Sequence, residues 1–119
     1  TNTMGDSSNN DYPVIKKIQN SHNTIKNNIF RQIGNKYSSQ DSVTSYSALG
    51  LSNSKYNLIE SNIFYQIENI NGKEKLIHAL YIANFSEYNT IAKNYVALCT
   101  GSPFNIRNAS SYNTFENNY

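Results

Sequence analysis

The chain has 119 residues, a formal net charge of +2, 38% hydrophobic side chains and only 15% charged ones. That length fits one domain around a single core and excludes a two-lobed enzyme with a cleft between its halves. The balance excludes charge-driven disorder, and a surplus of two positive charges does not by itself imply a nucleic-acid or membrane-surface partner.

Uncharged polar residues fill the gap, among them 21 asparagines. A single cysteine, Cys99, excludes an intramolecular disulfide, and His22 and His78 are not spaced as metal ligands. No catalytic, cofactor or metal constellation is legible, so the expectation is a protein that is not an enzyme. No apolar run approaches the length of a transmembrane segment. The chain begins with Thr1 rather than Met, which fits a mature product whose signal or anchor has been removed and favours an extracytoplasmic or secreted location.

In chain order, residues 1–11 are polar and read as a flexible lead-in, 12–101 as a single α+β domain, and 102–119 as a polar, aromatic-containing tail. Asp11 is a natural N-cap. Ile15, Ile18, His22, Ile25, Ile29 and Ile33 recur at steps of three or four, and Gly34 supplies a stop, so the spacing predicts a helix over Tyr12–Ile33. Lys16, Lys17, Lys26 and Arg31 make that helix basic. Residues 35–54, rich in Ser and Thr, read as a long connection.

The next segment carries Asn71-Gly72 between two apolar arms, the strongest short-range hairpin signature. A two-residue turn there pairs residues whose numbers sum to 143: Ile67 with Leu76, Tyr65 with His78, Ile63 with Leu80, and Glu68 with Lys75. A second turn at Ser86–Asn89 adds a third strand reaching Thr100. The expected fold is therefore one N-terminal amphipathic helix packed on a three- or four-stranded antiparallel β-meander. The alternative is an all-α helical bundle, because Tyr56, Ile59, Ile63, Ile67 and Ile70 also follow helical steps. The layout resembles nuclear-transport-factor-like and cystatin-like folds and the globular head of type IV pilins. No internal repeat stands out beyond the similarity of successive strands.

Laying the helix on one sheet face leaves Phe64, Ile77, Tyr81, Val96 and Leu98 on the other, the candidate contacts of a protein partner or a second copy. The leading functional expectation is thus a non-enzymatic binding or assembly module that uses this face and its termini. Ser45–Asn57 resembles the turn region of helix-turn-helix proteins, which makes a small DNA-binding regulator the alternative, with Asn53, Ser54, Lys55 and Asn57 as candidate contacts. With one cation there, nucleic acid is the disfavoured partner. His78 and Cys99 fall on neighbouring strands and read as core residues before they read as a nucleophile pair.

Overall fold

The computed structural model describes residues 2–4, 20–40 and 43–119, with the backbone alone described at 2–4. Thirteen short strands are present among them: β1 (Asn2–Met4), β2 (Asn20–Ser21), β3 (Thr24–Lys26), β4 (Ile29–Ile33), β5 (Ser47–Ser52), β6 (Ser54–Lys55), β7 (Leu58–Glu60), β8 (Ile63–Ile67), β9 (His78–Ala83), β10 (Thr90–Ala92), β11 (Tyr95–Cys99), β12 (Phe104–Ile106) and β13 (Thr114–Glu116). Every pairing between them is parallel. The first sheet has the order β1-β5-β9-β12, the second β13-β10-β7-β3 and the third β11-β8-β4, with a two-stranded β2-β6 beside them. The chain thus winds as a parallel β-solenoid. Coil 1 comprises β1–β4, coil 2 β5–β8, coil 3 β9–β11 and coil 4 β12–β13, and each coil rests on the one before it.

The local cause is a motif that recurs once per coil: NSHNTIKNNIF at 20–30, SKYNLIESNIF at 54–64, SEYNTIAKNYV at 86–96 and SSYNTFENNY at 110–119. Within it, the residue before each Asn adopts a left-handed backbone. This holds for His22, Tyr56, Tyr88 and Tyr112 before the first Asn, and for Asn27, Ser61, Lys93 and Asn117 before the second. A single left-handed residue turns an extended chain sharply, so each strand is cut to a few residues and the chain must corner. The registers Ile25↔Ile59, Ile91↔Ile59 and Ile91↔Phe115 then stack like side chains in a column. A second inward column joins Phe30, Phe64 and Val96. The core is built from these columns with Leu49, Leu51, Ile67, Leu80 and Ile82, all fully or almost fully buried.

The same winding buries polar groups, which must then be paired. Three asparagine ladders run along the solenoid axis. In one, Asn23 Nδ2 donates to Asn57 Oδ1 (2.9 Å), Asn57 Nδ2 to Asn89 Oδ1 (2.7 Å) and Asn89 Nδ2 to Asn113 Oδ1 (2.9 Å). In the next, Asn28 donates to Asn62 (3.2 Å), Asn62 to Asn94 (3.0 Å) and Asn94 to Asn118 (3.0 Å). Each receiving Oδ1 also accepts the backbone N–H of the asparagine one coil earlier. The third ladder runs from the Asn35 N–H to Asn69 Oδ1 and from the Asn69 N–H to Thr100 Oγ1. The asparagine content noted in the sequence is therefore structural in large part: Asn57, Asn62, Asn69, Asn89 and Asn94 are buried ladder members.

These observations correct the expected α+β fold. Of the helix over Tyr12–Ile33, residues 12–19 lie outside the described ones, and 20–33 form β2, β3 and β4. The isoleucine spacing misleads because Ile25 and Ile33 pack against the core while Ile29 points outward. The antiparallel meander is likewise absent. β8 pairs with β4 and β11 rather than with β9, and β9 pairs with β5 and β12. Asn71 and Gly72 do adopt positive φ, 63° and 76°. Their turn, however, lies in the loop that carries the chain from the third sheet to the first, together with the 3-10 turn Glu74–Leu76. Glu68 pairs with Lys36 at 2.7 Å instead of with Lys75. The helical-bundle alternative fails as well: the described chain holds two 3-10 turns and no α-helix. After residue 101, β12 pairs with β9 and β13 with β10. No described helix is long and apolar enough to cross a membrane.

Candidate functional site

The solenoid has three kinds of outward surface. Along the second sheet, the column Lys26, Glu60, Ala92 and Glu116 carries three charged side chains and one buried alanine, with Lys26 Nζ 2.7 Å and Lys93 Nζ 3.6 Å from the Glu60 carboxylate. Hydrogen bonding from Lys26 holds the Glu60 carboxyl below its ordinary range. At the corner before this sheet, His22, Tyr56, Tyr88 and Tyr112 stack ring on ring, with centroids 5.1–5.2 Å apart and planes within 17° of parallel. These rings spend their faces on one another and offer edges and hydroxyls outward. They therefore form a structural column with no free platform between rungs.

The third sheet differs. Its outward positions are Ile29, Ile63 and Tyr95 in one column and Arg31, Tyr65 and Ala97 in the next. Tyr119 extends the first column: its N–H donates to the Asn94 carbonyl at 2.8 Å, and its own carbonyl accepts from the Val96 N–H at 2.7 Å. Ile29 is 68% exposed, Ile63 41%, Tyr95 51% and the neighbouring Leu98 58%. Adjacent rungs of a sheet lie about 4.8 Å apart, so Ile29, Ile63 and Tyr95 form one continuous apolar column, with the Arg31 guanidinium in the column beside it and Leu98 further along the same strand as Tyr95.

The candidate contacts read from sequence divide across this geometry. Phe64 and Ile77 are fully buried in the core, Tyr81 and Val96 are half-buried, and Leu98 alone is plainly on the surface. Phe64 and Val96 lie side by side in a parallel pairing and point inward. Sequence reasoning missed Ile29, Ile63 and Tyr95. Their signal was the residue directly after the second motif asparagine, a column that becomes visible once the coils are aligned.

Ser45–Asn57 forms β5 and β6 rather than a helix-turn-helix. Asn53, Ser54 and Asn57 are buried, and Lys55 pairs with Glu87 at 2.8 Å. His78 is buried, with Nδ1 2.8 Å from the Ser102 carbonyl and Nε2 3.0 Å from the Asn105 amide. Cys99 takes its hydrogen bonds from the backbone at Ala79 and Gly101, and burial pushes its thiol up. The two side chains are thus engaged elsewhere and do not form a nucleophile and base. Among the described residues no group of three or more His, Cys, Asp or Glu side chains converges as a metal site.

One polar cluster flanks the third sheet. Glu68 accepts from Lys36 Nζ (2.7 Å) and from the Tyr37 hydroxyl. Both hydrogen bonds hold the Glu68 carboxyl below its ordinary range, while burial and the same carboxylate push the Tyr37 phenol up to about 12. The cluster ties the loop after β4 to coil 2. Comparison with protein-family models, curated proteins and solved structures finds no match for this chain.

Proposed function

We propose that the protein is a non-enzymatic binding module whose contact surface is the outer face of the third sheet. One observation carries this reading. Ile29, Ile63 and Tyr95 form an exposed apolar strip on a parallel sheet, with Leu98 exposed further along the same strand, whereas on the second sheet Lys26 and Lys93 pair with Glu60. Such a strip, held on short strands whose backbone is fixed by asparagine ladders, is preorganised and loses little conformational freedom on binding. Its size and chemistry suit an apolar segment of a partner protein, with a partner carboxylate placed to meet Arg31.

The test places a photo-crosslinking phenylalanine derivative at Ile63, with the same group at Thr24 on the second sheet as control, in the full chain. A discrete adduct from position 63, lost on Tyr95→Asp and absent from position 24, is the expected result. Equal labelling from both positions, or none from 63, would remove the strip as the contact surface.

A further inference from the structure

Asn71 and Gly72 turn the chain without forming a hairpin, and their turn brings together the parts of a chemical reaction. We propose that Asn71 is a site of self-modification: the Gly72 backbone nitrogen attacks the Asn71 side-chain carbonyl, the Glu74 carboxylate acts as base, and the asparagine becomes aspartate or isoaspartate. The proposal uses no residue of the third-sheet strip and does not depend on it.

The fold first explains why the ladder asparagines are spared. At each of them the attacking atom would be the backbone nitrogen of the next residue, and the solenoid already spends that N–H. Leu58, Ile63, Thr90, Tyr95, Thr114 and Tyr119, which follow the six ladder asparagines of coils 2 to 4, each donate to the backbone carbonyl of the asparagine one coil earlier, at 2.8–2.9 Å. After Asn69, the Ile70 N–H donates to Asn35 Oδ1 at 2.7 Å. A nitrogen held in this way does not reach its neighbour's side chain while the sheets are intact.

Asn71 is the one asparagine in the chain followed by glycine. Both residues are exposed, and a Cβ built on Gly72 would meet nothing within 4 Å, so no side chain or neighbouring atom crowds the attacking nitrogen. The Gly72 N–H faces Glu74 Oε1 at 3.4 Å. That is long for a hydrogen bond, yet close enough for the carboxylate to take the proton directly or through one water as the new bond forms. Gly72 N bonds to Asn71 Cγ, the proton passes by way of Glu74 to the departing amide, and ammonia leaves a five-membered succinimide. Water then opens the ring at Cγ to give aspartate, or at the main-chain carbonyl to give isoaspartate. The balance is one water in and one ammonia out, with no oxidant or reductant.

The structure also shows what the change would disturb. Asn69 Nδ2 donates to the Lys73 carbonyl at 3.1 Å and to the Ser45 carbonyl at 2.8 Å, and Thr100 Oγ1 donates to the Glu74 carbonyl at 3.0 Å. Isoaspartate adds one carbon to the backbone between Asn69 and Lys73, so it strains the bond that closes this turn.

Peptide mass spectrometry on the full chain, incubated folded at neutral pH, tests the proposal. The peptide carrying Asn71 should gain one mass unit and split into two species, while those carrying Asn57, Asn62, Asn89 and Asn94 stay unchanged. Glu74→Gln keeps an acceptor but removes the base. It should slow conversion by about tenfold, less than a well-aligned base contributes, because the carboxylate meets the N–H at 3.4 Å. In concentrated urea, where the turn is lost, parent and variant should convert at one rate. Survival of Asn71 in the folded chain with conversion in urea would overturn the proposal. So would ladder asparagines that convert as fast as Asn71, or equal rates for the folded parent and Glu74→Gln.

Discussion

Asn62 sits in the middle of its ladder, so its replacement by alanine tests what the ladders contribute to folding. Its Oδ1 accepts the Asn28 N–H (3.0 Å) and Asn28 Nδ2 (3.2 Å), and its Nδ2 donates to Asn94 Oδ1 (3.0 Å) and to the Ile25 carbonyl (2.9 Å). Truncation leaves Asn94 Oδ1 with the Asn62 N–H at 3.0 Å and leaves Asn28 Nδ2 with the Lys26 carbonyl at 3.1 Å. The Asn28 N–H, however, loses the acceptor that the side chain supplied, while the Ile25 carbonyl loses one of two donors and keeps its place in the β3–β7 ladder. One such group gives a cost of about 1–3 kcal/mol. A domain of this size holds only about 5–15 kcal/mol in total, so the variant should be clearly destabilised. Asn28→Ala removes two bonds at the exposed end of the same ladder, where water can replace them, and should cost less than about 1 kcal/mol. Urea titration followed by both circular dichroism and tyrosine fluorescence measures both, provided the two probes give one transition. Equal costs for the two variants would refute the assignment of stability to the buried ladder.

Other positions test separate parts of the structure. At Gly34, φ is 127° and an added Cβ would collide with the Glu68 carbonyl, so Gly34→Ala should lower the thermal midpoint by well over the few degrees of a surface change. Leu98 is exposed and left-handed at φ 53°, so Leu98→Gly should match or exceed the parent in urea, whereas Leu98→Val, β-branched, should fall below it. Glu68 has a folded-state pKa below its ordinary value of 4.5. Its hydrogen bonds therefore stabilise the fold above about pH 4.5, and that contribution disappears as pH falls through the lower folded value. Thermal midpoints of the parent and Glu68→Gln should differ at pH 7 and converge on acidification; a constant gap would oppose the assignment.

The repeat is written in the sequence in an unfamiliar period, and neither the helix nor the antiparallel meander expected from it forms. The inward residues of one coil are Ile59, Phe64 and Ile67, and of the next Ile91, Val96 and Cys99. Their steps of five and three belong neither to a strand nor to a helix. Left-handed residues reset the alternation, and Gln66 at φ 60° lies between the inward Phe64 and Ile67, so a two-residue register carried through it assigns the wrong face, as it did for Phe64. The coil-to-coil offset also varies. Ile29↔Ile63 is 34 residues, Ile63↔Tyr95 is 32 and Thr90↔Thr114 is 24, because the loops after the third sheet differ in length. A search for one fixed period misses such a repeat, whereas aligning the four asparagine pairs finds it. What no alignment of the coils supplies is the partner: the outer column Ile29, Ile63 and Tyr95 is recognisable only after the inner columns are known.

The most direct test of the parallel solenoid is a pair of disulfide scans in a Cys99→Ser background. Ile63→Cys with Tyr95→Cys joins direct neighbours of adjacent coils, whose outward side chains and strand spacing suit a bridge. Tyr65→Cys with His78→Cys joins residues that only an antiparallel hairpin would bring together. Mild oxidation should close the first pair within the single chain and leave the second open; a bridge between 65 and 78, with none between 63 and 95, would contradict the fold and everything built on it.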